Sequence, residues 1–260
     1  VSASCERADK GAILSPGELL AIASVLRTAR TLYDYCHGNH LFDTVLDEIF
    51  DRLMSNRTLE DRISRSIISE ELIADEASDT LANIRRQIRL TNNKIKETLQ
   101  KYIQGGSHAK YLQENIVTTR NGRYVVPVKA EHRNDVKGLI HDTSSSGATL
   151  FIEPVAVVEA NNDLRRLEAE ERAEVERILA NLSADVANFA SAIILNYSNI
   201  ILLDSIFARC ELSWRMRAVE PIIADTVDII GARHPLLDKN KAVPIDICLG
   251  ENFDTLIITG

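Results

Sequence analysis

The sequence predicts a mainly α-helical protein. A helical core sends out two long antiparallel helices, a small β module sits at their far end, and a β segment closes the chain. Three observations carry this. Two long stretches keep apolar residues at steps of three, four or seven, as a helix seam requires. Between them the period changes to short β-rich runs around Asn121-Gly122, a hairpin turn signal. Aromatic residues make up only 5% of the chain, which suits long helices better than a β-sandwich core.

The first element is announced by "LSPGELLAIASVLRTARTL". Ser15 can cap, Pro16 suits the first helical position, and Glu18 completes a capping box. Leu19, Ile22, Ala23 and Leu26 then recur at helical spacing. "LFDTVLDEIFDRLM" repeats the pattern through Leu46, Ile49 and Leu53, and a turn region follows around "SEELIADEAS". The first long helix places Ala77, Leu81, Ile84, Ile88, Ile95, Leu99 and Ile103 on one stripe, interrupted by polar Thr91-Asn92. Gly105-Gly106 ends it. At 1.5 Å per residue, roughly 27 residues reach about 40 Å.

Two β-rich runs flank Asn121-Gly122, and "GLIHD" and "ATLFIE" flank the "TSSSG" turn. The second long helix is expected over about residues 154–196, with its seam through Leu164, Leu167, Glu171, Val175, Ile178, Leu182, Val186, Phe189 and Ile193. A third, "IILLDSIFARCELSWRMRA", returns with a broader apolar face. From Pro221 the chain offers short strands separated by turns and no helix. The segments are bounded at 1–75, 76–115, 116–152, 153–220 and 221–260.

No uninterrupted apolar run approaches the roughly 20 residues of a bilayer span, so no membrane partner is expected. The N-terminus lacks a basic-then-apolar leader pattern. The four cysteines are widely spaced with no CxxC pair, which points to neither a disulfide framework nor a zinc site. Only Cys36-His37 with His40 resembles a ligand cluster, and a fourth ligand is not apparent. The expectation is a cytoplasmic protein without a bound metal.

The net charge of −8 is unevenly spread. Residues 85–137 hold twelve bases against four acids, a local +8 on a remainder of −16. Such a segment is a candidate polyanion surface. Within it Arg120, Arg123, Lys129, Arg133 and Lys137 fall on the β module, where turns expose side chains. They are the candidate nucleic-acid-binding residues. Sequence-independent phosphate contact is the chemistry such a set supplies.

Two other patterns carry less. "HDTSSSGAT" invites a Ser/His/Asp reading, but adjacent His141 and Asp142 point to opposite faces of a regular strand. A relay needs the imidazole bonded to both partners. A tight loop is the better reading, with Gly147 supplying backbone freedom and the serines capping turns or contacting phosphate. Glu168, Glu170, Glu171 and Glu174 alternate with Arg165, Arg166, Arg172 and Arg177, which describes a salt-bridged helix face rather than paired catalytic carboxylates.

"RYVVPVKAEHRNDVKGLIHDTSSSGATLFIEPVAVVEANNDLRRLEAEE", followed by "GARHPLL", "VPIDICLG" and "LIITG", resembles the second bacterial branch of the MutS family. "ILSPGELLAIASVLRTARTL" fits the same family. The resemblance covers nearly the whole chain and is most specific over residues 123–171. It implies a helical core, a lever of long helices, a β clamp that grips nucleic acid, and the opening strands of an α/β ATPase domain from about residue 221. It makes Gly260 the first glycine of the phosphate-binding loop, whose Lys and Ser/Thr would follow. Val243-Pro244 would form a wall of the adenine pocket, and Arg233 and His234 would be structural at a turn.

The expectation is therefore the middle of a longer protein. This chain alone would hold no cofactor and perform no catalysis. The parent would be a homodimeric ATPase using ATP and Mg²⁺, stimulated by DNA or ribosomes and ending in a nuclease-like domain. Its implied partners are branched DNA, where it suppresses recombination, and collided ribosomes with their rRNA. The alternative is a coiled-coil adaptor whose tip binds protein.

Overall fold

The computed structural model describes residues 1–38, 44–105, 108–238, 240–251 and 253–257. It is mainly helical, with a small antiparallel β module between the two long helices and a C-terminal β segment. Two compact units divide it, residues 1–200 and 201–260.

In the first unit, helices α1 (Ser2–Asp9), α2 (Pro16–Gly38), α3 (Asp47–Asp51) and α4 (Arg57–Ser66) precede a small hairpin, β1 (Ile67–Ser69) and β2 (Leu72–Ile73). The start of α2 is the capping box that Ser15-Pro16-Glu18 announces. The Ser15 amide donates to Glu18 at 3.0 Å, and the Glu18 amide donates back to Ser15 Oγ at 3.3 Å. The bond from the Ser15 amide, aided by Ser4, the Ser15 hydroxyl and Arg7, lowers the Glu18 pKa to about 2. α3 is shorter than "LFDTVLDEIFDRLM" suggests, and it buries Phe50 rather than Ile49. Part of that stretch lies outside the described residues.

Long helices α5 (Asp79–Gln104) and α6 (Val155–Ala187) pack against each other. The second helix ends at Ala187 and not near Asn196. A new helix, α7 (Ala190–Met216), starts after Asn188-Phe189. The chain turns there without Gly or Pro, so no local signal marks the break. α7 is also long and apolar enough, by length and composition, to cross a bilayer. Its apolar runs are short because Asn196, Tyr197, Ser198 and Asn199, and then Asp204 and Arg209, interrupt them. Its first part is instead packed in the protein, where Asn196 accepts from the Met54 amide at 2.8 Å and donates to the Met54 carbonyl at 2.7 Å.

Two separate hydrophobic clusters form along α5 and α6. The root cluster joins Cys5, Leu14, Leu19, Ile22 and Leu26 to Leu59, Ile63, Leu81, Ile178, Leu182, Val186 and Ile193. The tip cluster joins Ile95, Leu99 and Ile103 to Val126, Val128, Ile152, Val157 and Leu164. A fully buried Leu or Ile stabilises by about 1.5–3 kcal/mol, so both ends are strongly held.

Polar bonds add to the apolar contacts along the helix pair, from the start of α5 to the clamp. Ser78 caps α5 by accepting from the Leu81 amide at 2.9 Å and donates to Glu174 at 2.6 Å. Arg85 reaches Glu171 and Asp75, each at 2.6 Å. Asn92, which breaks the apolar stripe, accepts from the Tyr124 hydroxyl at 2.9 Å. The acidic run is thus only partly a solvated face. Arg166–Glu170 is an intrahelical pair at 2.7 Å, whereas Glu171 and Glu174 bond across to α5 and its cap.

In the second unit, β7 (Val227–Ala232) and β8 (Ile245–Leu249) pair antiparallel.

Candidate nucleic-acid interface

The β module contains β3 (Thr118–Arg120), β4 (Arg123–Lys129), β5 (Gly138–Thr143) and β6 (Thr149–Pro154), ordered β3-β4-β6-β5. Asn121 and Gly122 have φ of 52° and 69°, the paired positive values of a two-residue hairpin turn. The turn is tied down from two sides. The Asn121 side-chain amide donates to the His141 carbonyl at 3.2 Å, and Arg165 of α6 donates to the Asn121 carbonyl. Val126, Val128 and Ile152 lie in the tip cluster against α5 and α6, so one sheet face is seated on the helix pair.

At the junction with α6 lies Glu153, which is fully buried. Arg123 Nη1 donates to its two oxygens at 2.8 and 3.0 Å, His141 Nε2 lies 2.6 Å away, and the Asn161 amide donates at 2.7 Å. A buried carboxylate is costly unless so partnered. The cluster ties β4, β5 and β6 to the first turns of α6. Tight packing continues beside it, since a Cβ on Gly138 would overlap the Glu153 carbonyl oxygen and come within 2.6 Å of Ile152 Cγ2.

His141 sits in a β-bulge. The register passes from Ile140 opposite Ile152 to Asp142 opposite Phe151. Expecting opposite faces for His141 and Asp142 assumed a regular pleat, and the bulge removes that regularity. Their partners nevertheless differ. His141 meets Glu153, while Asp142 pairs with Arg120 at 3.2 Å and accepts from the Thr143 amide at 2.8 Å. In the serine turn Gly147 has φ of 74°, and Ser144 Oγ accepts from the Thr149 amide at 3.0 Å.

The five candidate bases separate into two groups. Arg123 is committed to Glu153 and to Asn162 at 2.5 Å. Arg120 lies over the Phe151 ring at 4.0 Å and pairs with Asp142. Lys129, Arg133 and Lys137 have no carboxylate partner among the described residues, and Arg133 and Lys137 are exposed. Lys129 reaches the Lys110 carbonyl at 3.5 Å, which brings in a base that sequence reasoning counted but did not select.

Lys110 lies over Tyr111 at 4.9 Å. Around it runs a chain of half-exposed rings. Tyr102 and His108 are 4.3 Å apart, His108 meets Tyr111 edge-on at 6.5 Å, and Tyr111 lies 4.9 Å from His132. Burial raises the Tyr102 pKa, keeping its hydroxyl neutral. The signal was present as rings alternating with bases in "KYIQGGSHAKY" and "KAEHR". These two segments meet in the fold, where Leu112 pairs with Val128 and the Gln113 amide donates to the Pro127 carbonyl at 2.9 Å.

No family model matches the chain. Curated relatives do. It is 48% identical over 262 residues to the "Endonuclease MutS2" of Acetivibrio thermocellus, covering 99% of this chain and 33% of that protein. The same-named proteins of Ruminiclostridium cellulolyticum and Pelotomaculum thermopropionicum are each 47% identical, covering 99% and 100% of this chain. The chain belongs to the MutS2 branch of the MutS family. It spans about a third of the length of the relatives it matches.

In MutS2 terms α5 and α6 form the lever and the β3–β6 module the clamp. Of the expected nucleotide-binding residues, Gly260 lies outside the described residues, and Val243 and Pro244 are exposed. Ala242, immediately before them, lines a cleft of about 290 Å³ with Arg217, Arg233, His234 and Pro235. His40 of the Cys36-His37 pattern also lies outside the described residues. His37 contacts the Tyr33 carbonyl at 2.8 Å and Asp51 at 3.1 Å.

Proposed function

We propose that this chain is the nucleic-acid-engaging core, lever and clamp of a MutS-like ATPase acting on branched DNA, on collided ribosomes, or on both. One observation carries the reading. Lys110, Lys129, Arg133 and Lys137 stand at the far end of a long helix pair, each without a carboxylate partner among the described residues. Cations left unneutralised on an acidic protein attract a polyanion. Their side chains contact phosphates whatever the base sequence, while the seated clamp sheet sets their spacing. Arg120 and Arg123 then serve the clamp by holding its shape.

ATP and Mg²⁺ belong to the proposal for the whole protein, as does a homodimer whose two arms enclose the target. Val243, Pro244 and the neighbouring cleft would sit beside the nucleotide base.

The adaptor reading draws on one observation of its own. β5 is an edge strand, and its Leu139 is 53% exposed, as a protein-binding edge would be. One experiment separates the two. Charge reversal of Lys129, Arg133 and Lys137 together should weaken binding of this chain to a DNA four-way junction or to ribosomes at least tenfold. It should also flatten the salt slope on the junction by about 2–3. Unchanged affinity for both targets would sink the nucleic-acid reading.

A further inference from the structure

The basic residues explain a grip on phosphates, but they leave the ring chain beside them unaccounted for. Tyr102, His108, Tyr111 and His132 form a continuous run of ring contacts. None of the four is buried. Rings gathered only to stabilise the clamp would gain most from full burial, since the benefit scales with area removed from water. Here each keeps part of its surface open. Next to them a cleft of about 270 Å³ is lined by Tyr102, His108, Asp135, Lys137, Pro154 and Val155. Lys137, one of the cations that would hold phosphates, is part of that lining.

The nearby acids offset that charge only in part. His132 lies 2.9 Å from Asp135 and 3.6 Å from Glu131, two carboxylates set against Lys110, Lys129, Arg133 and Lys137. Lys110 sits over one ring, while Arg133 follows His132 directly in the chain. Rings with π-faces at the surface, interleaved with unpaired cations and next to a small cleft, are the combination that binds single-stranded nucleic acid. The bases stack and the backbone follows the charge. A duplex offers the same phosphates but keeps its bases stacked on one another, so it cannot use the rings.

The geometry points to a subsite for an unpaired nucleotide at the clamp tip. Its base stacks on the Tyr111–His132 pair or enters the Tyr102–His108 cleft, and its phosphate is held by Lys110, Arg133 and Lys137. This rests on the nucleic-acid reading above and adds to it a preference for single-stranded arms over closed duplex branches.

The test compares two DNA probes with the 260-residue chain: a fully paired four-way junction, and a fork whose single-stranded arm carries 2-aminopurine. An RNA arm of the same sequence is run in parallel. The wild-type chain should bind the fork more tightly than the junction and quench the 2-aminopurine of the DNA arm, the RNA arm or both. Tyr111→Leu keeps an apolar side chain but loses the π-face. It should weaken fork binding about 5- to 100-fold, abolish the quench, and leave junction affinity unchanged. Tyr111→Phe should restore both. Junction binding with no quench from either arm overturns the subsite alone. Equal losses by Tyr111→Leu on fork and junction overturn it as well, because the residue would then only hold the clamp together. Failure to bind any of the probes, with ribosomes also unbound, overturns the nucleic-acid reading itself.

Discussion

The root and the tip of the helix pair share α5 and α6 yet are built in opposite ways. The root cluster draws Cys5, Leu26, Leu59, Leu81, Ile178 and Ile193 from segments far apart in the chain. It closes only when the chain has gone out and come back. The tip cluster uses residues between Ile88 and Leu164, one unbroken stretch of sequence. The root relies on interlocking helices. The tip adds a fully buried carboxylate with four bonds to Arg123, His141 and Asn161. Apolar packing is tolerant of small shifts, whereas a buried polar cluster is stable only when every member keeps its partner. The root therefore supplies cohesion, and the tip supplies a fixed orientation of the clamp on its helices.

If the two ends are separable units, damage to one should stay local. The largest effect is expected from Glu153→Ala, which strands Arg123 beside a half-buried void. It should cost about 3–5 kcal/mol. Hydrogen exchange should show protection lost across β4, β5 and β6 and retained in α2 and α4. Equal loss at both ends would make the molecule a single cooperative block.

Ser78→Ala should cost less, about 1–2 kcal/mol, because it removes the α5 cap and the link to Glu174. The first turn of α5 should exchange faster while β4 and β6 do not.

The smallest effect comes from acid. The Arg177 guanidinium, helped by Ser78, holds Glu174 at a pKa of about 2, and the capping-box bonds hold Glu18 at about 2. Both values lie below the 4.5 of a free Glu. The stability they contribute is full above pH 4.5 and is lost as pH falls from there toward 2. Both residues serve the root half. Thermal melts from pH 5 to pH 2 should therefore lose less in Glu174→Gln than in the wild type.

What could be read from the chain follows from how local each signal is. The α2 capping box, the α5 stripe and the Asn121-Gly122 turn depend on residues a few positions apart, and all three are present. α1, the β1–β2 hairpin and the break at Asn188-Phe189 were not foreseen; α1 is short and marked only by Gly11 after its end, and no Gly or Pro marks the other two. The clamp was legible as strands but not as the order β3-β4-β6-β5, since β4 and β5 are consecutive in sequence and not neighbours in the sheet. Glu153 gave no warning at all. Its burial depends on Arg123 and Asn161, thirty residues before and eight after it.

The length of α5 has a geometric consequence for the clamp it carries. Twenty-six helical residues span about 39 Å. One degree of rotation about the root therefore sweeps the far end through about 0.7 Å, by the same length. Ten degrees moves it about 7 Å, the spacing of two stacked base pairs in duplex DNA. A rotation of about five to ten degrees at the root becomes, at the far end, a displacement of about 3–7 Å. A small rotation at the root is thus enlarged at the tip in proportion to the length of the helix.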